Sequence, residues 1–262
     1  MLKVSNLTKR FLSGTMNEVV AVDHLNLELD KGEFLTVIGS NGAGKTTFLN
    51  LISGTLIPSE GRVYIDEKNV TTMPEHSRAE FIGRVFQEPG LGTAAGMTVA
   101  QNLCLALKKR NQGFGMGVTP KRREIFNREL SKIELGLESR LDETVRHLSG
   151  GQRQGLSVLM ATLTMPKILL LDEHTASLDP KNARKILEIT CSLVAEKKLT
   201  TIMVTHDMNQ ALKVGDRLAM LHRGSFVCNL DGRKKEELTV EKLVTLFSER
   251  NIADDELLLR MK

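Results

Sequence analysis

The chain has 262 residues, 41% hydrophobic and 26% charged, with a formal net charge of +4. That balance describes one large globular domain, or one domain with an appended lobe, with enough apolar residues for a sizeable core. No apolar run approaches the ~18 residues that a membrane span needs, and without a long basic stripe or interleaved aromatics nucleic acid is not expected as a partner.

The first residues, Met1 to Asn6, lack the charged and apolar regions of a secretory signal, so a cytoplasmic chain is expected. Cys104, Cys191 and Cys228 stand singly, without metal-ligand spacing, and read as small apolar core residues. Basic clusters at 108–110 and 121–123 read as solvated helix faces, with a partner or an anionic lipid surface as the alternative.

Residues Leu2–Phe11 and Val19–Leu29 alternate apolar and polar residues, which predicts two antiparallel strands. Gly14 and Asn17 make the intervening 12–18 a hairpin-like turn. Phe34–Ile38 is a short apolar strand running into Gly39, and 46–52 reads as a helix stopped by Gly54. A further strand is predicted over 62–66, after the turn Pro58-Ser-Glu-Gly61.

From about 90 to 148 the pattern turns helical, with helices expected over 98–110 and 121–135 and a glycine-rich loop over 113–117 between them. An apolar stretch at 156–165 suits a buried helix. Ile168–Asp172, 201–205 and 217–221 are short buried strands separated by helical stretches, an alternation that predicts a parallel α/β sheet with helices on its faces. From Arg233 a charged stretch leads to a helix expected over 240–250.

The loop Gly39, Ser40, Asn41, Gly42, Ala43, Gly44, Lys45, Thr46, Thr47 carries phosphate chemistry in its spacing. Its glycines let backbone N–H groups turn inward around phosphate oxygens, and the following helix adds the positive end of its dipole. Lys45 would set a point charge against the β- and γ-phosphates, and the Thr46 hydroxyl would ligate Mg²⁺. By composition alone this pattern arises in roughly one chain in a hundred of this length, so it needs support from elsewhere. Asp172 and Glu173 supply some: an apolar strand ends in two carboxylates, where ligands of open α/β folds collect. Without such a loop, that pair reads equally as a cap on the next helix.

Far downstream stands Leu148, Ser149, Gly150, Gly151, Gln152. This pentad is similar to the signature of the ATP-binding cassette (ABC) family, and with it nearly the whole chain resembles an ABC transporter nucleotide-binding subunit. The resemblance implies an α/β fold: a P-loop NTPase (RecA-like) core with an N-terminal antiparallel β subdomain and an inserted helical subdomain. It implies an ABC domain over 1–232, its helical subdomain near 90–150, and a C-terminal helical extension over 233–262. It also implies ATP and Mg²⁺ as cofactors, the metal held by Thr46, Gln87 and Asp172.

Residue roles follow from the resemblance. Glu173 orients and deprotonates the attacking water, and His206 matches the switch histidine that contacts the γ-phosphate. Gln87 matches the glutamine that touches Mg²⁺ and moves as the nucleotide changes. Ser177, Leu178 and Asp179 match the D-loop, and Phe11 stands where the family stacks an aromatic ring under adenine. The pentad reaches across a head-to-tail, ATP-dependent homodimer to the partner's γ-phosphate.

Two positions depart from the family pattern. His174 replaces the usual proline after the glutamate; it reads as a packing or subgroup difference, with a part in catalysis as the alternative. Glu88 stands where aspartate is common.

The runs Pro74-Glu-His76, Gly83-Arg-Val-Phe-Gln87 and Asp172-Glu-His-Thr-Ala176 resemble a bacterial subgroup paired with a separate permease and a substrate-binding lipoprotein. Import of a small solute, an amino acid among the candidates, is therefore expected, with the subunit docked on the inner face of the cell membrane. The alternative is the ATPase of a lipoprotein or lipid exporter, which the insert at 14–22 also resembles. A soluble non-transport ABC ATPase would need two cassettes or a long coiled-coil insertion, and a regulatory non-hydrolysing cassette would lack Glu173 or His206.

Overall fold

In the computed structural model the N-terminal alternation becomes β1 (Leu2–Phe11) and β2 (Val19–Leu29), with the bounds the pattern predicts. They pair antiparallel from Leu2 opposite Leu29 to Phe11 opposite Val19. Then come β3 (Phe34–Ile38), α1 (Lys45–Ser53), β4 (Glu60–Ile65), the short β5 (Lys68–Asn69) and α2 (Glu75–Arg78). Antiparallel pairing gives one sheet the order β2-β1-β4-β5, so the expected N-terminal antiparallel layer is present. The structure describes residues 1–107 and 117–249. The basic cluster 108–110, most of the glycine-rich stretch 113–117, and the chain beyond 249 lie outside the described residues.

The described residues fall into two units: one holds Met1–Phe81 with the chain from Thr200 onward, the other Ile82–Leu199. The second unit opens with β6 (Ile82–Val85), a strand the sequence pattern did not predict. The expected helix from 98 begins one residue later as α3 (Val99–Ala106), because Thr98 is its cap: its side chain accepts from Gln101 N and the Gln101 side chain reciprocates. Next is α4 (Pro120–Ser131), with Thr119 as cap and proline in the first turn. It stops short of the expected residue 135, where Glu134 (φ 49) and Gly136 (φ 70) turn the chain in the left-handed region. After α5 (Gly150–Leu163) comes β7 (Ile168–Asp172), parallel to β6 with Ile82 opposite Ile168, and then α6 (Pro180–Lys197). A Cβ at Gly83 would lie 2.4 Å from Ala161 O, and one at Gly155 2.1 Å from Leu135 Cδ1, so β6 and the 132–137 turn approach α5 as closely as glycine allows.

Back in the first unit are β8 (Thr200–Thr205), α7 (Met208–Lys213), β9 (Arg217–His222), β10 (Ser225–Asp231), α8 (Gly232–Glu236) and α9 (Val240–Glu249). Every residue of β3 is buried, as befits a strand with parallel neighbours on both sides: Phe34 lies opposite Thr201 of β8, and Leu35 opposite Arg217 of β9. The turn between β9 and β10 places Arg223 (φ 45) and Gly224 (φ 81) both in the left-handed region, the geometry favoured by tight hairpins. Leu243 of α9 packs with Ile38, Met208, Leu218 and Met220, so this part of the C-terminal extension joins the core of its unit. None of the three cysteines is in a disulfide among the described residues; Cys104 is buried, as expected, whereas Cys191 and Cys228 are only half-buried.

Candidate active site

The buried strand β3 delivers the chain into the loop 39–44 and then into α1. Gly42 (φ 77) and Gly44 (φ 101) adopt left-handed backbone. A Cβ at Gly39 would meet Leu221 O at 2.3 Å and one at Gly44 would meet Ala21 O at 2.2 Å, so no other residue fits there without backbone movement. The β9–β10 turn braces the loop, with Gly224 N donating to Ala43 O at 3.0 Å. Lys45 is buried (6% exposed), and its Nζ donates to Gly39 O at 2.8 Å and Ser40 O at 3.0 Å. Its ammonium therefore lies back over the loop, while Asn41 and Thr46 are exposed.

The far end of α1 is fixed as firmly. Gly54 caps it in left-handed conformation (φ 85). Beside it the fully buried Arg78 donates through Nη1 to Leu51 O (2.7 Å) and Ile52 O (2.8 Å), through Nε to Met73 O (2.9 Å) and through Nη2 to Thr71 O (2.6 Å). Burial lowers its pKa to about 10, which leaves the guanidinium charged near neutral pH. A cation on the last carbonyls also complements the helix dipole.

His206 follows β8 and is half-buried, next to Asp207, whose side chain caps α7 by accepting from Gln210 N at 3.1 Å. Phe11 ends β1 at 37% exposure, with Lys9 Nζ 5.3 Å from its ring centroid. It is a surface ring, not a core residue.

In the second unit all five residues of β7 are buried, and the strand ends in Asp172. Arg84 Nη2 donates to Asp172 Oδ2 at 2.9 Å, in a pair whose side chains are only 11% and 10% exposed. The Arg84 guanidinium also lies 4.7 Å from the Phe86 ring centroid. Glu173 is half-buried with φ 45, a left-handed conformation that costs a residue with a Cβ about 1–2 kcal/mol. Its carbonyl accepts from Ala176 N at 2.9 Å, closing a turn over 173–176. His174 is fully buried, with Nε2 3.1 Å from Thr190 Oγ1, and desolvation lowers its pKa to about 4.

Gln87 is exposed just beyond β6, and its carbonyl accepts from Ser177 Oγ at 3.1 Å, which joins two of the expected site segments directly. Asp179, two residues on, caps α6 by accepting from Asn182 N at 3.1 Å, and Leu178 between them is half-buried. Ser149 caps α5 in a reciprocal box with Gln152, each side chain 3.2 Å from the other's backbone N–H. Gln152 is itself held by Arg140 Nη1 (3.0 Å) and donates to Leu135 O (3.1 Å). Leu148 is buried beneath this corner, while Ser149 and Gly150 are exposed at the helix N-terminus, an anion-favouring end, and Gly151 is buried against Asn182.

Residues 22–176 match the ABC transporter family, a span that takes in the loop 39–47, Gln87, the pentad 148–152 and the carboxylates 172–173. The chain belongs to the ABC transporter family. This cassette is 44% identical over 250 residues to the tyrosine transport ATP-binding protein of Clostridioides difficile (strain R20291), covering 94% of the chain and 98% of that relative. It is 33% identical over 230 residues to the methionine import ATP-binding protein MetN 2 of Listeria monocytogenes (serovar 1/2a), where it spans 87% of its own length but only 65% of the relative's. Among solved structures it is similar to the ATP-binding cassette MJ0796 in a dimeric post-hydrolysis state bound to ADP and Pi, with a TM-score of 0.74 and 32% identity over 89% of this chain and 99% of that one. The cassette therefore has the P-loop NTPase fold, binds nucleotide, and is an ATPase coupled to transport.

Three contacts escape sequence reasoning: Arg84 on Asp172, Thr190 beneath His174, and Arg140 on Gln152. Arg84 and Asp172 lie 88 positions apart, and no local pattern reports such a pairing. Arg140 left a faint signal, twelve residues before the glutamine of a recognisable capping box.

Proposed function

We propose that the cassette powers import of a small solute of the amino-acid class through a separate permease, fed by an extracytoplasmic substrate-binding protein. It works as a head-to-tail homodimer on the cytoplasmic face of the membrane. The observation that carries this reading is the 44% identity with the tyrosine transport ATP-binding protein, which spans nearly the whole of both chains. No described helix is long and apolar enough to cross a membrane, and this reading assigns the membrane passage to the permease.

The chemistry asks for stabilisation of negative charge on a transferring phosphoryl group, mainly by positioning and electrostatics. Lys45 moves from the carbonyls of Gly39 and Ser40 to the β- and γ-phosphates, and the loop 39–47 cradles them. Phe11, exposed at the end of β1, stacks on the adenine ring. Among the described residues no three His, Cys, Asp or Glu side chains cluster as a metal site of their own. One buried carboxylate and one exposed hydroxyl instead fit a hard cation that takes most of its oxygens from phosphates and water. Thr46, Asp172 and Gln87 would hold Mg²⁺, which when bound draws charge from the phosphate oxygens. Glu173 takes the proton of the attacking water, and His206 fixes that water against the γ-phosphate. The exposed end of α5 at Ser149 and Gly150 is the surface one protomer offers to its partner's nucleotide, and Ser177, Leu178 and Asp179 line that contact.

Uptake of radiolabelled tyrosine, with other amino acids as competitors, tests the reading in cells deleted for this chain and complemented with it. Complementation should restore uptake and Glu173→Gln should not. Uptake of every amino acid independent of the chain would overturn the import assignment.

A further inference from the structure

Glu173 carries its left-handed backbone (φ 45) without the freedom of glycine, so its neighbours must hold it there. On one side is Asp172, the end of a buried strand. On the other is His174, at the corner of the turn closed by Ala176 N and Glu173 O, with its ring 1% exposed.

The ring is bonded as well as packed. Thr190, fully buried in the middle of α6, has a single hydroxyl hydrogen, and it goes to Ile186 O at 2.7 Å. Thr190 Oγ1 must then accept at its 3.1 Å contact with His174 Nε2, so Nε2 carries the proton. This fixes one neutral tautomer, in keeping with the lowered pKa, and commits the Nε2 proton to Thr190 instead of to water or phosphate. A directional chain, Ile186 O to Thr190 to His174, therefore ties the residue after Glu173 to helix α6.

We propose that His174 is a positioning residue: its bond to Thr190 holds the left-handed backbone at Glu173 and thereby aims the Glu173 carboxylate. The proposal rests on Glu173 being the general base. It also gives His174 the task that a rigid residue would otherwise perform after that glutamate.

The test is steady-state ATPase of the full chain with Thr190→Val, Thr190→Ser, His174→Ala and the Thr190→Val/His174→Ala double variant, with Glu173→Gln alongside. Thr190→Val should lower kcat on the order of tenfold through misaiming, with KM for ATP and the fraction of nucleotide-binding protein unchanged. Thr190→Ser, which keeps the hydroxyl, should restore kcat. In the His174→Ala background Thr190→Val should cost nothing more, because the bond is already gone. Should Thr190→Val not fold, Thr190→Ala makes the same comparison. Wild-type kcat in a folded variant lacking the hydroxyl, or an equal loss with and without His174, overturns the positioning role while a slow Glu173→Gln leaves the base assignment standing. Wild-type turnover by Glu173→Gln removes the base, and the positioning role with it.

Discussion

Arg84 and Asp172 form a nearly dry ion pair, Nη2 to Oδ2 at 2.9 Å, at the end of the strand that leads into Glu173. Such a pair is not in itself a strong source of stability, but removing one partner takes a charged bond from an ion that stays buried. Arg84→Met should therefore destabilise the cassette by about 3–5 kcal/mol. Urea denaturation monitored by circular dichroism measures this as a fall in midpoint at constant slope. Asp172→Asn, which keeps a hydrogen-bond acceptor and removes the charge, should cost less.

Glu173→Gln should keep nucleotide binding and lower turnover by roughly 10²–10⁴, the scale of general-base loss. Rapid filtration with labelled ATP and a coupled ATPase assay separate the two. A trapped dimer should form in this variant on adding ATP, visible by light scattering as a doubling of mass.

Lys45→Ala should abolish measurable nucleotide binding while leaving the fold intact; in the parent its Nζ donates to the carbonyls of Gly39 and Ser40 within the loop itself. Fluorescence titration with a labelled nucleotide checks it. Affinity equal to that of the parent would remove Lys45 from the phosphate site.

His174 gives stability a pH dependence of definite sign. Its folded pKa, about 4, lies below the ordinary 6.5, so between those values the unfolded chain binds the proton more readily. The contribution is complete above pH 6.5 and is lost as pH falls toward 4, by up to about 3 kcal/mol. Urea midpoints at pH 7.5, 6 and 5 should fall more steeply for the parent than for His174→Gln.

Phe11→Ala should weaken ATP by about 1–3 kcal/mol, the scale of base–aromatic stacking, and weaken GTP to a similar degree. Binding of inorganic triphosphate, which has no base, should not change. Equal loss for triphosphate would place Phe11 outside the base contact.

Where the chain's local chemistry is demanding, the fold and site are legible in one dimension. β1, β2, β3 and β7 match their predicted bounds because alternation and short apolar runs report strand burial directly. The loop 39–47 and the pentad 148–152 are readable because phosphate binding and helix capping require given residues at given spacings. β6 is hidden because four residues including Gly83 and Arg84 lack any strand period, and the charge of Arg84 is met there by Asp172, 88 positions away. Thr190 looks like any residue of an amphipathic helix until His174 is placed over it. The end of α4 is hidden because Glu134 turns left-handed without being glycine or asparagine.

Helix α1 is only nine residues long, about 13 Å from end to end. A guanidinium sits on its last carbonyls, and the loop proposed to cradle phosphate leads into its first amides, so both poles of one short dipole have a charge to meet. On the proposed phosphate role of the loop, weakening Arg78 should soften the grip on polyphosphate from the opposite end of the rod, without touching any atom of the ligand.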